Sequence, residues 1–386
     1  MLIVPFSSAW HGRFVQAAAR GCMLDWDVRC DTTAELVSEG LALVNNDACY
    51  GALVAAAQAV QGVRDAADGG AAPDGICVGL PMLCNRCRSI DEPFFVEGAL
   101  SRCGYAGTKA VPLAGLLAGP DEIPSDAQRR VAASVVAADV LLQARLQADA
   151  QASGVERPGL VEALDGLGEE ALRDLASREG FDFGRFLSRL DEAASRLAAA
   201  GAAGGPVVGI AGSAASVYNE GMNGDMAAVL RYEGCVVRLP YLASMTSFAL
   251  RLQGVDAPFV EGLDVWCRAA GEACPRIPPA PDVDAIREKG RRYVPDQASR
   301  GLGCYIAGWA TALLDEGVEN VVVSGLFGCL TGHVSGAGIL GAIRRDYPDA
   351  NMAAVEFDSG TSVLNQVNRL KLLASVAWQK KKGAGT

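Results

Sequence analysis

The chain has 386 residues, half of them apolar, a fifth charged and 6% aromatic, with 34 Lys and Arg against 45 Asp and Glu for a net charge of −11. That composition supplies cores for two or three domains at roughly 100–200 residues each, and it excludes collagen, a disordered chain and a small disulfide scaffold. The acidic balance argues against nucleic acid or an anionic membrane as a partner. No run of about 18 uncharged apolar residues reads as a membrane span. The N-terminus lacks a basic stretch and a small-residue cleavage site, so the cytoplasm is the expected compartment.

Leu2–Pro5 opens as a short apolar strand. Thr33–Leu43 has helical spacing with a threonine cap and Glu35 close behind. Val44–Tyr50 breaks that pattern, and Ala52–Ala66 resumes it with Leu53, Ala57, Val60 and Val63 on one face. Ile76–Leu80 reads as a buried strand ended by Pro81, followed by a polar loop, a helix over Phe94–Cys103 and a strand over Lys109–Ala114. Alternation of this kind predicts an α/β fold with helices on the faces of a parallel sheet.

Residues 121–204 differ in character. Asp126–Ala202 is rich in Ala, Leu, Arg, Glu and Asp with 3.6-residue periodicity, which predicts two to four helices with a turn at Gly154–Pro158. They form a helical insert between an N-terminal α/β domain, residues 1–120, and a C-terminal one, residues 205–386. In the latter, strands are expected at Pro206–Ala211, Cys235–Leu239, Val318–Ser324 and Met352–Phe357, with helices at Asn223–Tyr232, Tyr241–Leu252, Tyr305–Leu314, Ser335–Tyr347 and Thr361–Trp378. Asp256–Arg300 reads as irregular, and the basic tail from Gln379 as frayed.

Twelve cysteines and two histidines shape the functional reading. Cytosol keeps thiols reduced, so a metal held here is held by thiolates, which points to an iron–sulfur cluster or zinc. Ligands of an open α/β sheet bind beyond the carboxyl ends of its strands. Three loops expected there carry cysteine: Asn45–Tyr50, Cys84–Arg88 and Gly325–Cys329. The turn Phe357–Ser362 suits an anion, such as a phosphate or carboxylate, at Ser359, Gly360 and Thr361, and plain helix capping is its bland alternative. Gly209–Ser213 lacks both G-x-G-x-x-G and a Walker A lysine.

The segments Val44–Gln58, Cys87–Tyr105, Pro206–Gly234 and Gly301–Leu372, above all the FGCL and EFDSG blocks, resemble the bacterial family of 2-hydroxyacyl-CoA dehydratase components and their activases, in its activase-associated branch. The resemblance implies two Rossmann-like halves around a cysteine-ligated [4Fe–4S] cluster, with a double cubane as the larger form. It implies an ATP-hydrolysing activase as partner, delivering low-potential electrons for one-electron chemistry on an acyl-CoA thioester, and a homo- or heterodimeric assembly. Residue by residue it implies Cys49, Cys87 and Cys329 as metal ligands. The chain departs from the family in Gly51 after the Cys-Tyr pair, in Asn85 and Arg86 where glycines are usual, and in an extra thiol, Cys84. Cys84 and Cys304 are therefore candidates for an additional ligand. His333, Asn46, Asp47 and Arg88 are candidates for catalytic or supporting roles: His333 for moving protons, Asn46 and Asp47 for capping or lining the pocket, Arg88 for pairing a carboxylate or the cluster charge. Two rivals remain beside the catalytic reading: a non-catalytic iron–sulfur electron-transfer partner of the activase, and a zinc-bound or thiol-only α/β protein.

Overall fold

The structure, a computed structural model, describes residues 1–45, 48–81, 87–119, 122–151, 157–196, 204–360 and 362–383. The first part runs β1 (Leu2–Pro5), α1 (Ala9–Gly21), β2 (Trp26–Arg29), α2 (Ala34–Leu43), α3 (Tyr50–Asp68), β3 (Cys77–Leu80), α4 (Glu92–Arg102), β4 (Lys109–Pro112) and α5 (Leu113–Ala118). Three helices follow: α6 (Ser125–Gln151), α7 (Arg157–Ala176) and α8 (Phe183–Ala194). The last part runs β5 (Val207–Gly212), α9 (Ala214–Tyr218), α10 (Glu220–Asn223), α11 (Met226–Tyr232), β6 (Val236–Arg238), α12 (Leu242–Leu252), α13 (Pro258–Ala273), α14 (Val283–Arg291), α15 (Gly303–Asp315), β7 (Asn320–Leu326), α16 (Leu340–Asp346), β8 (Asn351–Phe357) and α17 (Leu364–Gly383).

The fold is α/β with two Rossmann-like, four-stranded parallel sheets. Their strand orders, β2-β1-β3-β4 and β6-β5-β7-β8, are the same order written twice, although no residue-level match links the two halves. Parallel strands lie between helices and so read as continuous apolar runs; all seven residues of β7 are buried.

Several elements differ from expectation. α1 and β2 were not foreseen: His11 and Gly12 interrupt the apolar spacing of the helix, and β2 alternates with charged Asp27 and Arg29. Asp256–Arg300 is not irregular but holds α13 and α14, and its prolines crowd the link between them. The helix expected over Asn223–Tyr232 breaks at Gly224 and Asp225, both in the left-handed region. The tail does not fray at Gln379. α17 continues to Gly383, with Lys380 on Glu319 (2.7 Å) and Lys381 on the Gly205 carbonyl (2.9 Å).

The helix α6 is the spine. It is long and apolar enough to cross a membrane by length and composition, yet 89% of that stretch is buried inside the fold. Several of its polar groups are spent on neighbours from both halves. Gln128 accepts from the Phe259 amide at the start of α13, and Gln143 donates to the Leu239 carbonyl (2.8 Å). Asp139, 1% exposed, accepts from the Leu242 and Ala243 amides (2.8 Å each), capping α12 from outside, and from His11 Nε2 of α1 (3.0 Å). His11 in turn faces Ser8 Oγ through Nδ1 (2.8 Å), and Ser8 caps α1. This network assigns the imidazole its Nε2–H tautomer.

Replacing Asp139 by Ala strands a buried imidazole N–H and two helix amides. The expected cost is about 3–5 kcal/mol, read as a lowered urea midpoint. Asp139→Asn, which keeps one acceptor, is expected to cost less.

Candidate functional site

In an open parallel sheet the crevice opens where the strand order reverses. Here that is between β1 and β3 in one sheet and between β5 and β7 in the other. The two crevices face one another. A cavity of about 120 Å³ is walled by Phe6 and Ser7 after β1, Pro81 after β3, Ser213–Ala215 after β5 and Cys329 after β7, with Cys49 and Glu92 completing it.

The cysteine loops touch across the halves. Cys49 occupies the N-cap position of α3, and the next amide, Tyr50 N–H, donates to the Phe327 carbonyl (3.1 Å). Gly328 stands in the left-handed region (φ 71°), and a Cβ there would lie 3.1 Å from Cys49 Cα. Cys329 opens the next turn, where the Gly332 amide donates to its sulfur (3.3 Å). Cys87 is buried just before the short turn Arg88–Asp91 that leads into α4. Cys87 and Cys329 thus follow the third strand of their respective sheets, and Cys49 comes from between the second and third.

Burial pushes the Cys49 thiol up to about 12; the nearby Ala52 amide opposes this, and the charges of Cys329, Glu92 and Cys87 add to it. Burial likewise raises Cys329, eased by the Gly332 amide and reinforced by Cys87. Burial and the Cys87 charge lift the half-buried Glu92 carboxyl to about 7. No Lys, Arg or His is among the described residues that wall the cavity. The three thiols and the Glu92 carboxyl act on one another through charge, although Cys87 is not among the described residues that wall the cavity. Among the described residues no three His, Cys, Asp or Glu side chains lie close enough together to hold one metal ion.

The other candidates are scattered. Cys304 lies on α15 and packs against α14, its sulfur 3.5 Å from the Arg287 carbonyl. His333 is 71% exposed and faces Glu356 (3.4 Å) rather than capping a helix. Arg88 is exposed. Gly360 gives its amide to Asp358 (3.3 Å), as does the Ser359 hydroxyl (3.5 Å), so a carboxylate already takes the donors an anion would use. Cys84, Asn46, Asp47 and Thr361 lie outside the described residues. Glu92 was missed by sequence reasoning because an acidic residue opening a helix reads as a complement to the helix dipole; its place five residues after Cys87 was the available signal.

Behind the cysteine cavity lies a second one of about 80 Å³, almost wholly apolar. Val15, Val131, Val135, Leu242 and Leu250 form its inner wall, and it shares Phe6, Ser7, Pro81 and Ala214 with the first.

A scan against protein-family models finds no match, and a search of curated proteins finds no relative.

Gly328→Ala is expected to lower stability by about 2 kcal/mol, since it combines left-handed strain with a backbone collision. Gly341→Ala, in a helix with open space around it, is expected to be neutral or slightly stabilising. Urea unfolding of the two variants checks both.

Proposed function

We propose that the chain is an iron–sulfur protein of the reductive dehydratase type, with Cys49, Cys87 and Cys329 holding a [4Fe–4S] cluster or its double-cubane form. The observation that supports this reading is that Cys49 and Cys329, from opposite halves, wall one cavity that has no Lys, Arg or His among its described lining residues, with Cys87 near enough for its charge to raise Cys49, Cys329 and Glu92. Ionised thiols buried together are costly unless a cation compensates them, and soft thiolate sets select iron–sulfur centres and zinc. Bound there, the cluster would supply single electrons at low potential.

The protein's own groups do the rest. The Gly332 amide at Cys329 and the Ala52 amide near Cys49 stabilise thiolate charge, and such donors tune a cluster's potential. The apolar walls of the second cavity exclude water and suit the hydrocarbon part of an acyl-CoA thioester, leaving its polar carbonyl toward the cysteines. That adjoining chamber favours a catalytic role over a pure electron relay. Electrons would come from an ATP-hydrolysing activase. Eleven described cysteines, all free thiols, fit the reducing cytoplasm.

Anaerobic reconstitution is expected to give a brown protein with about four irons and four labile sulfides per cluster. Cys49→Ser, Cys87→Ser and Cys329→Ser are each expected to lose most of that iron and sulfide, whereas Cys304→Ser keeps both. Wild type taking up zinc but no iron and sulfide would overturn the reading. Ala114→Leu, which narrows the apolar cavity, is expected to weaken acyl thioester binding at least tenfold, measured by calorimetry, with iron content unchanged.

A further inference from the structure

The imidazole of His11 stands between two oxygens. Its Nδ1 lies 2.8 Å from the Ser8 hydroxyl and its Nε2 3.0 Å from the Asp139 carboxylate, and all three side chains are buried. With the ring proton on Nε2 and held by Asp139, Nδ1 is a lone pair to which the Ser8 hydroxyl donates. Ser8 Oγ also accepts from the His11 amide (3.3 Å), which engages one of its own lone pairs and leaves the other. A helix cap requires that amide contact; it does not require an imidazole on the hydroxyl. Ser8 lies, moreover, between two cavities. It lines the apolar one of about 80 Å³ and also a polar one of about 190 Å³ that carries Arg145, Asp149, Glu220 and Arg231. Tyr218, edge-on to His11, lines both as well.

We propose that Ser8, His11 and Asp139 form a serine acyl-transfer site, apart from the cysteines, for esters or thioesters of short acyl groups. The proposal shares the apolar cavity with the iron–sulfur reading but needs no metal, so the two stand or fall separately. The acyl chain occupies the apolar cavity, and the leaving group extends into the polar one. Ser8 Oγ bonds to the acyl carbon while His11 Nδ1 takes the hydroxyl proton, and Asp139 steadies the imidazolium that results. The bond from that carbon to the leaving sulfur or oxygen breaks, and His11 passes the proton to the departing atom. Water entering through the polar cavity gives a proton to His11 and attacks the ester on Ser8, which releases the carboxylic acid and restores the hydroxyl. The Ala9 and Trp10 amides open α1 without an acceptor inside the helix, and they are the nearest donors along the chain for the oxyanion of each step.

The full-length chain, purified without added iron or sulfide, is treated with a butyl fluorophosphonate, which couples to activated serine hydroxyls with loss of fluoride. Tryptic digestion and fragmentation of the peptide Met1–Arg13 then place the label. Wild type is expected to carry it on Ser8, while Ser7, a neighbour in the wall of the same apolar cavity, serves as internal control and stays unmodified. Wild type is also expected to hydrolyse p-nitrophenyl butyrate. Ser8→Gly, which largely spares the helix cap, is expected to lose both the label and the hydrolysis. His11→Gln is expected to slow hydrolysis at least about a hundredfold. Asp139→Asn is expected to slow it at least about tenfold while binding unreactive butyramide as wild type does. Wild type without label on Ser8, or with Ser7 and Ser8 labelled alike, overturns the proposal. So does hydrolysis that survives in Ser8→Gly, or a folded His11→Gln that hydrolyses at the wild-type rate. None of these outcomes bears on the iron–sulfur reading, which is decided by iron and sulfide content.

Discussion

A single buried carboxylate holds the halves of this protein in register. Asp139 accepts from an imidazole on α1 and from two backbone amides at the start of α12, so one side chain on the central helix joins an element of the first sheet's layer to an element of the second's. Buried charge is tolerated only when fully hydrogen-bonded, and here each neighbour is also capped or packed in its own right: Ser8 at His11, Tyr218 edge-on to the same imidazole at 4.9 Å. Apolar packing around α6 supplies bulk stabilisation. The polar clamp supplies direction, because hydrogen bonds fix an orientation that hydrophobic contact alone leaves free.

That orientation is what makes a site. Two sheets with the same strand order have the same crevice, at the point where the order reverses. Turned toward each other, the crevices enclose one space, and the loop after β7 delivers Cys329 to it while Cys87, after β3, lies near enough to act on Cys329 through charge. Cys49 arrives at the N-terminus of α3, where the helix dipole favours negative charge. Neither half contains all three cysteines.

Local signals in the sequence carried much of the fold. Thr33 caps α2 as its spacing required, and β1, β3 and β8 fall where short apolar runs placed them. The positions of Cys49, Cys87 and Cys329 beside their strands and helices were legible for the same reason. Asp139 was not. In an Ala-rich helix it looks like one more solvated acid, and only the distant Leu242 amide, 103 residues on, reveals its work. α13 was hidden by the prolines beyond it, and α1 by a histidine on its buried face. Glu92 was hidden by an ordinary explanation that applies to most acids in its position. What escaped at Asp139 was a partner remote along the chain.

The hydrogen bond from Tyr50 to Phe327 ties a loop of the first half to a loop of the second within one residue of Cys49 and two of Cys329. Any hinge motion that parts the sheets must therefore pull those thiols apart, and whatever occupies the cavity acts as a bolt across the joint. Closing free energy and occupancy are then one linked quantity: a filled site resists opening in proportion to its affinity, and a molecule forced open surrenders its contents.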